Sequence, residues 1–195
     1  TNTDSMVGFN SGSTGKVTVT GEGSRWTNSG YIAVGQDGSG ALNIEDGGAV
    51  SNTSGYIAGG AGSTAAVTVT GAGSAWHGNG TLGVGGDGTG TLTIAAGGLV
   101  TSATAILGSG VDGVGTATVT GENSSWTNSD ASFVGFFGKG TLTMEKGGRA
   151  SSTTTFIGYG AGSAGAVSVT GANSTLANSA DLLVGYSGTG KSTIG

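Results

Sequence analysis

The sequence contains no cysteine and no proline, and only 9% of its 195 residues are charged. Without cysteine the chain can form neither a disulfide nor a thiolate metal site. The absence of proline, and of glycine at every third position, excludes a collagen helix. Six lysines and arginines against 11 acidic residues give a formal net charge of −5, which argues against binding to nucleic acid or to an anionic membrane. No apolar run approaches the roughly 18 residues of a transmembrane helix, so we expect no membrane insertion by this segment.

Glycine, in contrast, occurs 45 times. Such a glycine content is common in disordered chains. Here, however, apolar and polar residues alternate in short segments, such as Val17-Thr18-Val19 and Leu92-Thr93-Ile94. This alternation is typical of β-strands with one buried face, and the sequence therefore predicts an ordered, all-β chain.

The short strands belong to an internal repeat. Val-Thr-Val-Thr-Gly occupies residues 17–21 and 67–71, and close variants occupy 117–121 and 167–171, so the copies follow one another at a constant 50-residue spacing without insertion or deletion. A finer, 25-residue period places Leu42-Asn43-Ile44 and its later copies in the same register. A fixed period of this length is typical of a solenoid, in which each unit buries its apolar face against its neighbours.

Written in rows of the finer period, the sequence places glycine and asparagine in shared columns. One column contains Asn10, Gly35, Gly60, Gly85, Gly110, Gly135, Gly160 and Gly185, and two others begin at Gly15 and Gly23. Because these residue types tolerate a left-handed backbone, all three columns are predicted to be corners with positive φ. Apolar residues share other columns, one of which begins Val7, Ile32, Ile57, Leu82 and Leu107, and these residues are predicted to stack on one another in the core.

The predicted fold is a right-handed, single-stranded parallel β-helix that forms one domain over residues 1–195. It has four 50-residue repeats and nearly eight coils of about 25 residues, each with three strands and three corners. Coils that stack at about 4.8 Å would form a rod of roughly 38 Å. We expect this chain to be a fragment of a longer protein, because it begins and ends within the repeat and shows no capping segment.

Alternate coils differ at one position. Trp26, Trp76 and Trp126 lie one residue later in their coils than Val50 and Val100 do in theirs. A bulge of one residue, compensated at the next corner, would let tryptophan and valine both face inward. Core filling is the simpler interpretation of the tryptophans. The alternative is that they face outward and stack on sugar rings.

A column of small polar side chains is predicted to point outward from the middle strand. It contains Thr18, Asn43, Thr68, Thr93, Thr118, Thr143, Ser168 and Thr193. Threonine ladders of this kind stabilise sheets. A regular hydroxyl surface also suits binding to ice or to a glycan, although the column two positions later is interrupted by Glu45, Ala95 and Glu145.

Residues that could support catalysis or metal binding are sparse. The single histidine, His77, lies in a column of hydroxyl side chains, whereas a metal site needs several converging ligands. Glu22, Glu45 and Asp46 fall on neighbouring corners and could in principle hydrolyse a glycosidic bond. Because this acidic arrangement recurs with the repeat, as at Glu122 and Glu145, we interpret it as solvated surface. We therefore predict no enzymatic activity, no metal and no cofactor.

Two motifs connect the chain with a known class of repeats. Residues 17–29 read Val-Thr-Val-Thr-Gly-x-x-Ser-x-Trp-x-Asn-Ser, and residues 34–50 contain Val-Gly-x-x-Gly-x-Gly-x-Leu-x-Ile-x-x-Gly-Gly-x-Val. The unit resembles the repeat of type V secretion (autotransporter) passengers, which is also associated with PEP-CTERM surface proteins. The resemblance covers nearly the whole chain, although Leu176 replaces tryptophan and Lys191-Ser192 interrupts the leucine column in the last copy.

This resemblance implies a large bacterial protein that is displayed outside the cell, anchored at the outer membrane and often adhesive. The expected function is that of a structural and adhesive module, whose partners are glycans, another surface or further copies of itself. An ice- or glycan-binding solenoid is the alternative, and a polysaccharide-active enzyme is the least favoured interpretation.

Overall fold

A computed structural model describes all residues from Thr1 to Gly195 and contains 23 β-strands, numbered β1 to β23, and no helix. The strands form three parallel sheets, of eight, eight and seven strands. Each of the first seven coils contributes one strand to each sheet, and the eighth coil contributes one strand to the first sheet and one to the second. The predicted β-solenoid of nearly eight three-sided coils is therefore confirmed.

The first sheet is built from short strands. These are β1 (Ser5–Val7), β4 (Ile32–Val34), β7 (Gly55–Ile57), β10 (Thr81–Val84), β13 (Thr104–Leu107), β16 (Ser132–Val134), β19 (Thr155–Ile157) and β22 (Leu182–Val184).

The second sheet contains the longest strands. These are β2 (Thr14–Thr20), β5 (Ser39–Glu45), β8 (Thr64–Thr70), β11 (Thr89–Ala95), β14 (Val114–Thr120), β17 (Lys139–Glu145), β20 (Ala164–Thr170) and β23 (Thr189–Ile194).

The third sheet completes each coil. Its strands are β3 (Arg25–Thr27), β6 (Ala49–Asn52), β9 (Ala75–Gly78), β12 (Leu99–Ser102), β15 (Ser125–Asn128), β18 (Arg149–Ser152) and β21 (Thr175–Asn178).

The second sheet keeps the 25-residue register that the sequence predicts. Val19 pairs with Ile44, Ile44 with Val69 and Val69 with Ile94. Ile44, Val69 and Ile94 are fully buried, because inward and outward side chains alternate along a strand. Each apolar residue therefore lies on the equivalent residue of the preceding coil, as expected for a solenoid core.

The first sheet departs from the predicted register. Val7 pairs with Val34, two positions beyond its predicted partner Ile32. Val34 pairs with Ile57, two positions short of the residue that lies one full period later. The predicted stack of Val7 on Ile32 is therefore wrong, although both Ile32 and Val34 are buried. In this sheet the 25-residue period holds only as the average of a long and a short interval that alternate.

The third sheet shows the predicted one-residue offset. Trp26 pairs with Val50, one position short of the period, and Val50 pairs with Trp76, one position beyond it. The turn before β3 has four residues, Gly21–Ser24, whereas the turn before β6 has three, 46–48. The turn before β5 has four residues and that before β8 has six. The corner between the third and first sheets widens the offset to two positions, and this last turn, between the first and second sheets, restores the 25-residue register. The predicted compensation at the next corner is therefore wrong.

Only some of the predicted corner positions have a left-handed backbone. In the first glycine column φ is positive at Gly35, Gly85, Gly135 and Gly185, while in the alternate coils the left-handed residues are Gly8, Ala58, Gly108 and Gly158. Gly110, for example, is not left-handed, so that part of the prediction is wrong. The cause is the different turn length in alternate coils, which moves the left-handed residue.

The column that begins at Gly15 is not a corner. Gly40 and Gly140 of this column lie inside strands of the second sheet and have no positive φ. A Cβ atom on Gly140 would lie 2.1 Å from the Gly135 nitrogen and 2.9 Å from the Leu107 oxygen. Glycine is required here because the backbone of the preceding corner passes directly against the strand.

Candidate binding surfaces

The tryptophan column lies inside the coil. Trp76 and Trp126 are each only 1% exposed, and Trp26 packs against the core at one end of the rod. The space for Trp76 exists because Gly55 has no side chain, since a Cβ there would lie 2.6 Å from the Trp76 ring. The buried rings of Trp76 and Trp126 are therefore not available to stack on a sugar.

Buried polar groups satisfy the indole nitrogens at the corner between the third and first sheets. Trp76 Nε1 donates to Asn52 Oδ1, and Trp126 Nε1 donates to Ser102 Oγ at 3.3 Å. Ser102 Oγ in turn donates to Asn128 Oδ1, and Asn128 Nδ2 donates to Ser132 Oγ at 3.0 Å. Hydrogen bonding of buried polar groups is a structural requirement, and this network holds the corner together.

The outward side chains of the second sheet form a surface that we call the hydroxyl face. Its middle column consists of the predicted residues Thr18, Asn43, Thr68, Thr93, Thr118, Thr143, Ser168 and Thr193, which pair in strict register from coil to coil. Some hydroxyls of the outer columns are used internally, as where Thr120 donates to Glu145 and Ser39 bonds to Thr64. The five threonines between Thr18 and Thr143 have no protein hydrogen-bond partner for their hydroxyls, which leaves these groups free for an external one.

A second threonine column lies beside the middle one. Thr91 pairs with Thr116, and Thr116 pairs with Thr141. These residues precede Thr93, Thr118 and Thr143 by two positions, so three adjacent coils present two threonines each on the same face. Glutamate and alanine interrupt the column on the other side of the middle one, so the array was not predicted from that column.

A different outward surface, on the first sheet and its following turn, is aromatic. We call it the aromatic face; it consists of Phe133, Phe136, Phe137, Phe156, Tyr159 and Tyr186. Phe133 stacks on Phe156 with 5.0 Å between ring centroids and 6° between planes. Tyr159 lies between Phe136 and Tyr186, at 5.0 and 5.2 Å, with planes within 6° and 3° of parallel.

The two aromatic columns also contact each other. The rings of Phe133 and Tyr159 meet edge to face at 5.0 Å and 84°, and those of Phe156 and Tyr186 at 5.4 Å and 86°. Each such pair contributes about 0.5–1.5 kcal/mol beyond the area it buries. Phe137 remains 45% exposed and Tyr186 56% exposed. The result is a continuous set of packed aromatic rings in contact with solvent.

A depression of about 330 Å³ continues the aromatic face towards the N-terminal coils. Its floor is formed at Gly83, which has no side chain and lies between Tyr56 and Ile106 in the same outward column. Ile106 pairs directly with Phe133, so the depression and the aromatic face are continuous. Gln36, Thr81 and Ser109 supply polar groups at the edge, and no charged residue lines the depression.

The acidic corners do not form a recognisable centre. Asp46 Oδ2 accepts a hydrogen bond from Thr20 at 3.3 Å, and Glu145 accepts one from Thr120 at 3.0 Å. Glu145 also lies 3.6 Å from the Lys146 ammonium group. His77 is exposed, and its ring makes one hydrogen bond, to the Thr101 hydroxyl at 3.3 Å. No group of three histidine, cysteine, aspartate or glutamate side chains is placed to hold a metal ion.

The fold and its surfaces define the class of protein as a β-solenoid with two distinct outward faces, one hydroxylated and one aromatic. No family model matches the chain, and no curated protein or solved structure shows significant similarity to it. None of its segments is a helix long and apolar enough to cross a membrane.

Proposed function

We propose that this chain is a structural and adhesive module of a secreted bacterial surface protein, and that it works outside the cell. Adhesion to a glycan-covered surface, or association with other copies, occurs through the hydroxyl face. The observation that supports this proposal is the middle threonine column, whose hydroxyls are aligned from coil to coil and are not used inside the protein.

The physical basis of such adhesion is repetition. Each hydrogen bond between a threonine hydroxyl and a partner adds only about 0.5–1.5 kcal/mol net. A single rod therefore binds weakly, whereas many rods on one surface bind strongly because the later contacts become intramolecular. A flat sheet with a constant register suits this mode, since the spacing of its hydroxyls stays the same along the rod.

Adhesion is tested by comparing soluble protein with protein displayed on beads, using the same glycan-coated surface. We expect weak binding by the soluble monomer and firm attachment of the beads. The double variant Thr93→Val/Thr118→Val removes two free hydroxyls while retaining side-chain shape, and should reduce bead attachment. Thr127→Val/Ser151→Ala, which removes two outward hydroxyls on adjacent coils of the third sheet, is the matched control. Equal attachment by both double variants would contradict adhesion through the hydroxyl face.

An ice-binding function is the second candidate, and the paired threonine columns favour it. Thr91 with Thr93, Thr116 with Thr118 and Thr141 with Thr143 form a regular array on three adjacent coils. An array with this regularity can order water in a lattice. Thermal hysteresis of the purified protein tests the idea, with Thr116→Val as the variant expected to lower it. Freezing and melting temperatures that coincide in the presence of the protein would eliminate this candidate.

A further inference from the structure

We propose that the aromatic face and the adjoining depression form one binding site for a neutral, β-1,4-linked glycan chain that lies along the rod axis. This site is separate from the hydroxyl face, so the inference does not depend on adhesion through threonine. Three features of the site identify its ligand.

The first feature is the length and direction of the surface. The outward column that contains Tyr56, Gly83, Ile106, Phe133 and Phe156 runs through consecutive strands of the first sheet. Tyr186 extends the surface by one further coil. Five steps between coils at about 4.8 Å give roughly 24 Å. A narrow surface of this length suits an extended chain.

The second feature is the spacing of the rings. Successive aromatic centroids are 5.0 and 5.2 Å apart in the column of Phe136, Tyr159 and Tyr186. An extended β-1,4-linked chain advances by nearly the same distance with each sugar. Phe137, which meets Phe136 edge to face beside this column, is 45% exposed. Its ring is therefore open to the apolar C–H face of a sugar.

The third feature is the absence of charge together with a mixed polar and apolar lining. The depression is bordered by Gln36, Thr81 and Ser109, and its apolar wall consists of Tyr56, Ile57 and Ile106. This combination matches a neutral sugar, whose ring face is apolar and whose edge carries hydroxyls. An anionic polysaccharide would find no lysine or arginine in this depression to neutralise it.

Binding is tested by isothermal titration calorimetry of the 195-residue protein with cellohexaose and with maltohexaose. Both ligands are neutral and contain the same sugar, but only cellohexaose is an extended β-1,4-linked chain. We expect cellohexaose to bind at least about tenfold more tightly, in line with the loss caused by removing one well-placed aromatic contact. Equal affinity for the two ligands, or no heat with either, would overturn the proposal.

Variants locate the site. Tyr186→Ala and Phe137→Ala remove rings that are about half exposed, and each should weaken cellohexaose binding by about tenfold. Tyr159→Phe retains the ring and should bind almost normally, which distinguishes stacking from hydrogen bonding by the phenol. Leu99→Ala, which removes an exposed apolar side chain on the outward side of the third sheet, is the matched control and should not change the affinity. Circular dichroism and thermal melting confirm that each variant is folded.

Self-association through the same surface is the competing explanation. Sedimentation velocity of the free protein distinguishes the two. A monomer that binds cellohexaose supports the proposal. A dimer that Tyr186→Ala and Phe137→Ala dissociate, with no effect of cellohexaose, would overturn it and assign the aromatic face to contact between copies.

Discussion

The second sheet differs from the two other sheets in the register with which each coil stacks on the preceding one. In the second sheet every residue lies on the residue one full period earlier, as Ile44 lies on Val19. In the third sheet the interval alternates between one position short of the period and one beyond it, and in the first sheet the deviation is two positions. Where adjacent coils present side chains of similar size, the register is constant. Where tryptophan must alternate with valine or alanine, turns of different length shift the register so that large and small side chains share the interior.

The largest effect is expected from breaking the alternating part of the core. Trp76→Ala should lower the free energy of unfolding by about 3–5 kcal/mol, because it leaves a cavity and removes the donor to Asn52. Trp76→Leu should cost less, since Leu176 occupies the equivalent position in the last complete coil. Urea denaturation measures both. Equal costs for the two variants would contradict the view that side-chain volume sets this column.

A smaller effect is expected from a methyl group placed in the strict part of the fold. Gly140→Ala directs a Cβ against backbone atoms of Gly135 and Leu107 that have no room to move. The free energy of unfolding should fall by about 3 kcal/mol, the upper end of the usual cost of overpacking. Thermal melting detects the loss.

Gly62→Ala is the control for Gly140→Ala. Gly62 has φ of +75° but no atom within 4 Å of an added Cβ. The substitution should therefore cost only the strain of a left-handed alanine, about 1 kcal/mol. A larger destabilisation by Gly62→Ala than by Gly140→Ala would mean that φ, and not close approach, is the main constraint on glycine.

Glycine substitutions at Ala95 and Ala96 should change the free energy of unfolding with opposite signs. Ala95 ends strand β11, and Ala96 begins the three-residue turn to the third sheet. Ala96 is left-handed, with φ of 50°, whereas Ala95 ends strand β11 with ordinary strand geometry. Ala96→Gly relieves strain of about 1–2 kcal/mol against a chain-entropy cost of about 0.5–1 kcal/mol, so a stabilisation of about 0.5 kcal/mol is expected. Ala95→Gly should destabilise by about 0.5–1 kcal/mol. Chemical denaturation of both variants checks the contrast, and a shared sign would refute it.

The smallest effect on stability is expected on the hydroxyl face. Thr93→Val/Thr118→Val changes outward residues whose hydroxyls have no protein partner, so each change should alter the free energy of unfolding by no more than about 0.5 kcal/mol. Differential scanning calorimetry measures this. A large loss would show that these hydroxyls support the sheet, and it would remove the main argument for adhesion through them.

Much of the hydroxyl face and of the core could be predicted from the sequence. The repeat period is visible without alignment gaps, and alternation along Val17-Thr18-Val19 identifies the inward and outward positions. The offset of Trp26, Trp76 and Trp126 relative to valine was also visible, and burial of Trp76 and Trp126 agrees with core filling.

The aromatic face could not be found in the same way. The interval from Phe133 to Phe156 is two positions shorter than the repeat period, and that from Tyr159 to Tyr186 is two positions longer. Columns drawn at the strict period therefore separate residues that stack in space. The signal was present in the number of aromatic residues between Phe133 and Tyr186. Assigning them to one surface required the lengths of the corner turns, which a strict period conceals.

The class of fold, the number of coils and the composition of the core follow from the sequence alone, because a gap-free period and a two-residue alternation leave few ways to bury apolar side chains. The tertiary structure alone decided which glycines are left-handed and which lie against a close backbone, and which outward residues become neighbours. These features depend on how each turn distributes its residues. Two coils of equal length can place the same residue types over different partners, and only the packing of one coil on the next selects between them.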